Sequence, residues 1–136
     1  MTLYASDLVR EFDARLFFDY EGYGDNLMVL TVPNEKDEND IIKTMVEFHD
    51  DMVSASAIVM ELQEDYYLQA IHVCNTLNSG TRWYKHFVQE TPEGMFQLCV
   101  AADFMAVELM ADACFDRLMA FIHHLYEVKE YLFINE

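Results

Sequence analysis

Positive charge is what this chain has least of. Eight Lys and Arg stand against 25 Asp and Glu, giving a formal net charge of -17 on 136 residues. The acids are spread along the whole length and no basic stripe survives. DNA and RNA binding need clustered Lys and Arg against phosphate, so nucleic acid is a poor partner. Anionic membrane surfaces are disfavoured for the same reason. Glycine is also scarce, at four residues, and no glycine-rich phosphate loop is present. Uninterrupted apolar runs are missing too. The most apolar stretch, Leu98 to Ile122, is broken by Asp103, Glu108, Asp112 and Asp116, so it does not read as a membrane span. Met1 to Arg10 lacks a basic region followed by a long apolar run, so no signal peptide is expected and a cytoplasmic location is. The three cysteines, Cys74, Cys99 and Cys114, match neither a zinc knuckle nor a redox pair in spacing. Each sits in an apolar stretch, where a reduced Cys acts as a small hydrophobe.

What the chain does have is apolar content: 53% of its residues are hydrophobic. Acidic chains that stay disordered are far less apolar. A chain of this length can bury roughly two-thirds of its unfolded surface without disulfide or metal. Residues 1–136 therefore read as a single domain.

Ser6 and Asp7 suit the start of a short helix reaching about Phe12. Ala14 to Glu21 alternates as a strand, and Leu27 to Val32 reads as a second, stopped by Pro33. Asn34 to Asp40 is the most polar run and predicts a loop. Ile41 to Phe48 is a third strand, and Met52 to Ile58 suits a short return strand. The period then changes. Met60 to Asn78 predicts an amphipathic helix ended by Asn78, Ser79 and Gly80. Arg82 to Glu90 and Met95 to Ala101 predict a hairpin across Thr91-Pro92-Glu93-Gly94. A four-residue loop puts Phe87 on the face of Phe96 and Leu98, with Tyr84, His86, Val88, Gln97 and Cys99 opposite. Val107 to about Tyr131 is a long helix whose apolar stripe is wide enough to pack on a sheet. The expected fold is α+β: an antiparallel sheet with helices on one face, in the order α-β-β-β-α-β-β-α.

Candidate sites weigh lightly. His49-Asp50-Asp51 reads as a solvated turn, because adjacent residues rarely converge on one ion. The adjacent His123 and His124 lack the i,i+4 spacing of a helical metal pair. Glu108, Asp112 and Asp116 form a ladder on one helix face, most simply a solvated face or one for a basic partner. Ser54 and Ser56 have no nucleophile-elbow context. No catalytic residue, cofactor or metal ligand is assigned. Several strands, however, carry apolar residues on both faces. Helices on one side would leave Phe17, Met45, Tyr84 and Val88 partly exposed, with His86 beside them. Such a patch marks a protein interface, with self or with another chain.

The stretch from Leu68 to about Tyr131 resembles the YbjN-domain family of bacterial proteins. The carrying residues are Cys74-Asn75-Thr76-Leu77-Asn78 at a helix end and Trp83-Tyr84-Lys85 opening an aromatic strand. A Pro-Glu-Gly turn, the strand Phe96-Gln97-Leu98-Cys99-Val100 and a long C-terminal helix follow. The first half matches by element pattern only. That family is similar in fold to class I type III secretion chaperones: small, acidic, typically homodimeric domains that hold partner proteins through apolar surface. The resemblance implies a homodimer and no catalytic residues. The reading from sequence is a non-enzymatic protein-binding domain with a chaperone-like or regulatory role and an unidentified protein partner. A small-ligand or enzymatic site not visible in sequence, or an acidic mimic that occupies a basic protein, are the alternatives.

Overall fold

The structure is a computed structural model that describes residues 19–22, 26–49, 52–105 and 111–134. Six strands are present: β1 (Asp19–Gly22), β2 (Leu27–Asn34), β3 (Asp37–Phe48), β4 (Met52–Leu62), β5 (Lys85–Glu90) and β6 (Phe96–Met105). A short 3-10 turn, Glu64–Tyr66, leads into α1 (Tyr67–Gly80), and α2 (Ala111–Ile134) closes the described chain. The strands form one sheet in the order β1-β2-β3-β4-β6-β5, with every neighbouring pair antiparallel. Four strands precede α1: the return strand read at Met52 to Ile58 is present and runs on to Leu62, so the expected order, which counts three, is one strand short. The expected helix at Ser6 to Phe12 lies outside the described residues.

Alternation along the strands decides which face is covered. Met28, Leu30 and Val32 of β2, and Ile42, Val46 and Phe48 of β3, are buried on one face. Val53, Ala55, Ala57 and Val59 of β4 continue that face, with Leu98, Val100 and Ala102 of β6. Both helices lie on this side. α1 packs on β5, and α2 packs on β4 more than on any other strand. The reason is in the side chains: Ala55 and Ala57 leave β4 low, and Phe115, Leu118, Phe121 and Leu125 of α2 are fully buried in the same core. Burial of each such side chain contributes on the order of 1.5–3 kcal/mol.

Two expectations change for local reasons. Met60 to Leu62 finish β4 rather than opening a helix, and α1 begins at Tyr67. The polar run Asn34 to Asp40 is not a loop: the turn is only Glu35 and Lys36, and β3 already starts at Asp37. Its polar side chains build that turn. The Lys36 amide donates to Asn34 Oδ1 (3.1 Å), Asn34 Nδ2 donates to Asp40 Oδ2 (3.1 Å), and the Asn39 amide donates to Asp37 Oδ1 (3.0 Å). Asp40 also accepts from the Lys129 ammonium of α2. These contacts hold the Asp40 carboxyl below its usual range, against the upward push of burial.

Tyr126 secures α2 to the same hairpin. Its hydroxyl accepts from the Ile42 amide (2.9 Å) and donates to the Val32 carbonyl. Tyr126→Phe removes both bonds and leaves two buried backbone groups short of a partner, so it should cost about 1–3 kcal/mol. Urea unfolding should show the loss, and amide exchange at Ile42 should accelerate; unchanged exchange there would contradict the bridge. Thr44 gives the opposite case. It is fully buried, and its hydroxyl has no hydrogen-bond partner. Thr44→Val keeps the shape and removes the stranded group, so it should raise stability by about 1 kcal/mol in the same assay.

Candidate functional site

The loop between β5 and β6 sets the faces of this hairpin, and it has five residues rather than four. Glu90 pairs with Phe96, and Thr91 and Met95 close the loop through a Thr91 amide to Met95 carbonyl bond (2.8 Å). The Thr91 hydroxyl accepts from the Met95 amide (3.1 Å), and Gly94 takes the turn at φ +83°, where a Cβ is strained. One extra loop residue shifts the register by one and exchanges the faces. Phe87 is therefore paired with Cys99 on the open side, while His86 pairs with Val100 and Val88 with Leu98 on the helix side. This corrects the expected placement of two residues. His86 is 2% exposed, and Val88 packs against the core. Tyr84 is also turned inward, with its ring 5.8 Å from Phe121 and stacked on His124 at 4.4 Å. Met45 does lie on the open face, 42% exposed. Phe17 lies outside the described residues.

The open face has an apolar centre. Val29, Met45, Ser56 and Ala101 form one row across β2, β3, β4 and β6, ending at Lys85 on β5. Ile58, Cys99 and Phe87 form the next. Ile58 is 46% exposed. Beyond the first row, Glu47, Ser54 and Asp103 are aligned. On the far side, Gln89 donates to Gln97 (2.7 Å) and Gln97 to Glu61 (3.2 Å). Lys43 shares the strand face of Met45 and Glu47. Glu21 of β1, paired with Val29, joins Glu47, Glu61 and Asp103 on this face. Four acids thus face the two lysines Lys43 and Lys85, and the apolar rows lie in a mostly acidic surround. Sequence reasoning missed Ile58 and Phe87. The signal for Phe87 was the glycine in the loop, which favours the longer turn.

Behind the sheet, the inward-facing His86 joins three elements. Asn78, near the end of α1, brackets the His86 backbone: its Oδ1 accepts from the His86 amide (2.8 Å) and its Nδ2 donates to the His86 carbonyl (2.8 Å). An asparagine thus takes the place of a neighbouring strand on the edge of β5 and blocks further pairing there. The same Oδ1 lies 2.7 Å from His86 Nδ1. An oxygen only accepts, so Nδ1 carries the proton. Burial disfavours a second proton on His86, which leaves its Nε2 bare to accept from His124 Nε2 at 2.7 Å. Burial, and then the neighbouring His124, push His86 down to about 4. Burial lowers His124 as well; Glu127 pulls it back up and His123 pushes it down.

The remaining chemistry is quiet. Burial pushes the thiols of Cys74 and Cys99 up to about 11 and that of Cys114 to about 12, so each stays protonated and weakly nucleophilic at neutral pH. Among the described residues no group of three or more His, Cys, Asp or Glu is placed to hold a metal ion. No described helix is long and apolar enough to cross a membrane. The exposed Trp83 lies under the Arg117 guanidinium, 5.9 Å from its ring centroid.

This arrangement is an α+β fold of YbjN type. The structure is similar to the crystal structure of YbjN from E. coli, described as a candidate transcription regulator. The likeness has a TM-score of 0.60 at 15% sequence identity and covers 94% of this chain and 87% of that one. No family model matches the sequence. No curated protein matches it either.

The histidine pair has a pH signature. An unfolded histidine takes up its proton near pH 6.5, whereas the folded His86 resists until about 4. The unfolded state therefore binds more protons between these values, and the pair's contribution to stability, complete above pH 6.5, is lost as pH falls towards 4. Carboxylate protonation relieves charge repulsion in the same window, so ring nitrogen NMR is the cleaner measurement. It should find His86 in the Nδ1–H form and uncharged at pH 5.5. A charged His86 ring at that pH would contradict the assignment.

Proposed function

We propose that this chain is a YbjN-domain protein that acts as a non-enzymatic, cytoplasmic protein-binding domain, homodimeric, with a chaperone-like or regulatory role. The observation that carries the reading is the open sheet face. It presents Met45, Ile58, Val29 and Phe87 in two adjacent rows, with Lys43 and Lys85 and a larger number of acids around them. Apolar surface of this kind on one contiguous face marks a protein contact. The edge at β5 is capped by Asn78, which favours contact through the face over strand addition. The transcription-regulator description of E. coli YbjN fits the same reading. A chain of net charge -17 repels phosphate, so a regulatory role would act through a protein and not by holding DNA.

The test is the double variant Met45→Ser and Ile58→Ser. Both side chains are nearly half exposed, so the fold should survive with a change of less than about 1 kcal/mol. Self-association, read by light scattering across a dilution series, should weaken by about tenfold or more, the equivalent of one lost apolar anchor. A well-folded double variant that associates as the parent does would remove the open face from the proposal. A parent that is monomeric throughout would remove the homodimer.

A further inference from the structure

On the helix side of the sheet, a groove of about 430 Å³ runs between the β2–β3 turn and the outer flank of α2. This volume falls within the range of sites that hold a small ligand or a few side chains. Its two ends differ. Met119, Ala120 and Ile122 line one end with apolar atoms, and Val32 and Pro33 complete that floor. Glu127 and Glu130 rim the other end, with Glu35 facing them from the turn. Ala120 and the two glutamates lie seven and ten residues apart on α2, about 10–15 Å at 1.5 Å per residue.

Glu130 already holds a cation weakly, and Glu127 is met by a histidine ring. The chain's own Lys36 ammonium lies 3.1 Å from Glu130, and His123 Nε2 lies 3.0 Å from Glu127. Lys36 is 76% exposed and Glu130 49%, and pairs this exposed contribute little. A stronger cation presented from outside could replace either at little cost. Lys36 also shows where an ammonium fits.

We propose that this groove binds a basic, amphipathic segment of a partner protein, with an apolar side chain over Met119 and Ala120 and a lysine or arginine on Glu127 and Glu130. The site lies on the opposite side of the sheet from the open face and does not depend on it. The spacing sets the recognition rule: an apolar residue at one end and a cation about 10–15 Å away. The net charge of -17 steers such a segment inward. The separated ends of the groove supply the order that charge alone cannot.

The test uses two synthetic twelve-residue peptides of one composition, leucines and lysines, and isothermal titration calorimetry with the full chain at moderate ionic strength. In one peptide the leucines and lysines occupy opposite ends; in the other they are scrambled. The ordered peptide should bind about tenfold tighter. Ala120→Trp fills the apolar end from an exposed position, and the pair Glu127→Gln and Glu130→Gln discharges the other. Each should weaken the ordered peptide by about fivefold or more, while Glu90→Gln with Glu93→Gln, the same charge change at the far edge of the sheet, should change it less than about twofold. Circular dichroism checks that each variant folds, and the glutamine pair carries the test if Ala120→Trp does not. Equal binding of the two peptides would overturn the proposal, as would equal losses from the two glutamine pairs; either result would mean diffuse charge attraction only.

Discussion

The structure depends on one packing event, the seating of α2 across β4. The strand offers Ala55 and Ala57 at its centre, and the helix answers with Phe115, Leu118, Phe121 and Leu125, all within the same core. Small side chains below and large ones above make a close-packed layer that neither element could form alone. The consequence reaches the far side of the sheet. The described helices both sit on this face, and the other face keeps Met45, Ile58 and Ile41 in solvent. An exposed apolar face is the direct result of how the chain's longest apolar helix is used.

Much of this was legible in the sequence, and the failures have definite physical causes. The two helices announced themselves by their apolar spacing, and Met45 could be placed on the outer face from simple alternation between Thr44 and Val46. β4 was harder to see because Ser54, Ala55, Ser56 and Ala57 carry little strand preference, and their alternation shows only in burial. The Asn34 to Asp40 run looked like a loop because its residues are polar. In the fold those same side chains satisfy a two-residue turn and reach Lys129. The placement of His86, Val88 and Phe87 turned on one loop residue. A strand's faces repeat every two residues, so a register error of one inverts every assignment. The one local signal for that count is Gly94, which takes the positive φ of the five-residue turn.

The acidic balance acquires a location. One exposed acid pair, Glu127 and Glu130, rims α2 and is met by His123 and Lys36. Asp40 is partly buried and tied to Lys129. On the open face, Lys43 and Lys85 stand near Glu47 and Asp103, and the apolar rows lie between. Glu21 and Glu61 share this face, so the exposed apolar rows are ringed by acids with two lysines among them.

The histidine latch closes part of one sheet edge. A strand edge such as β5 presents bare amides and carbonyls, and an edge in that state invites pairing with another chain. Asn78 occupies the His86 amide and carbonyl from α1, and the His86 ring then reaches His124 on α2. One buried side chain thus ties α1, β5 and α2 together and closes the edge at the same point. Two surfaces lie on opposite sides of the sheet: the open face, with its apolar rows among acids and two lysines, and the acid-rimmed groove beside α2. They share no residue. Both still rest on the same seating of α2, which fixes the sheet beneath one and forms the wall of the other.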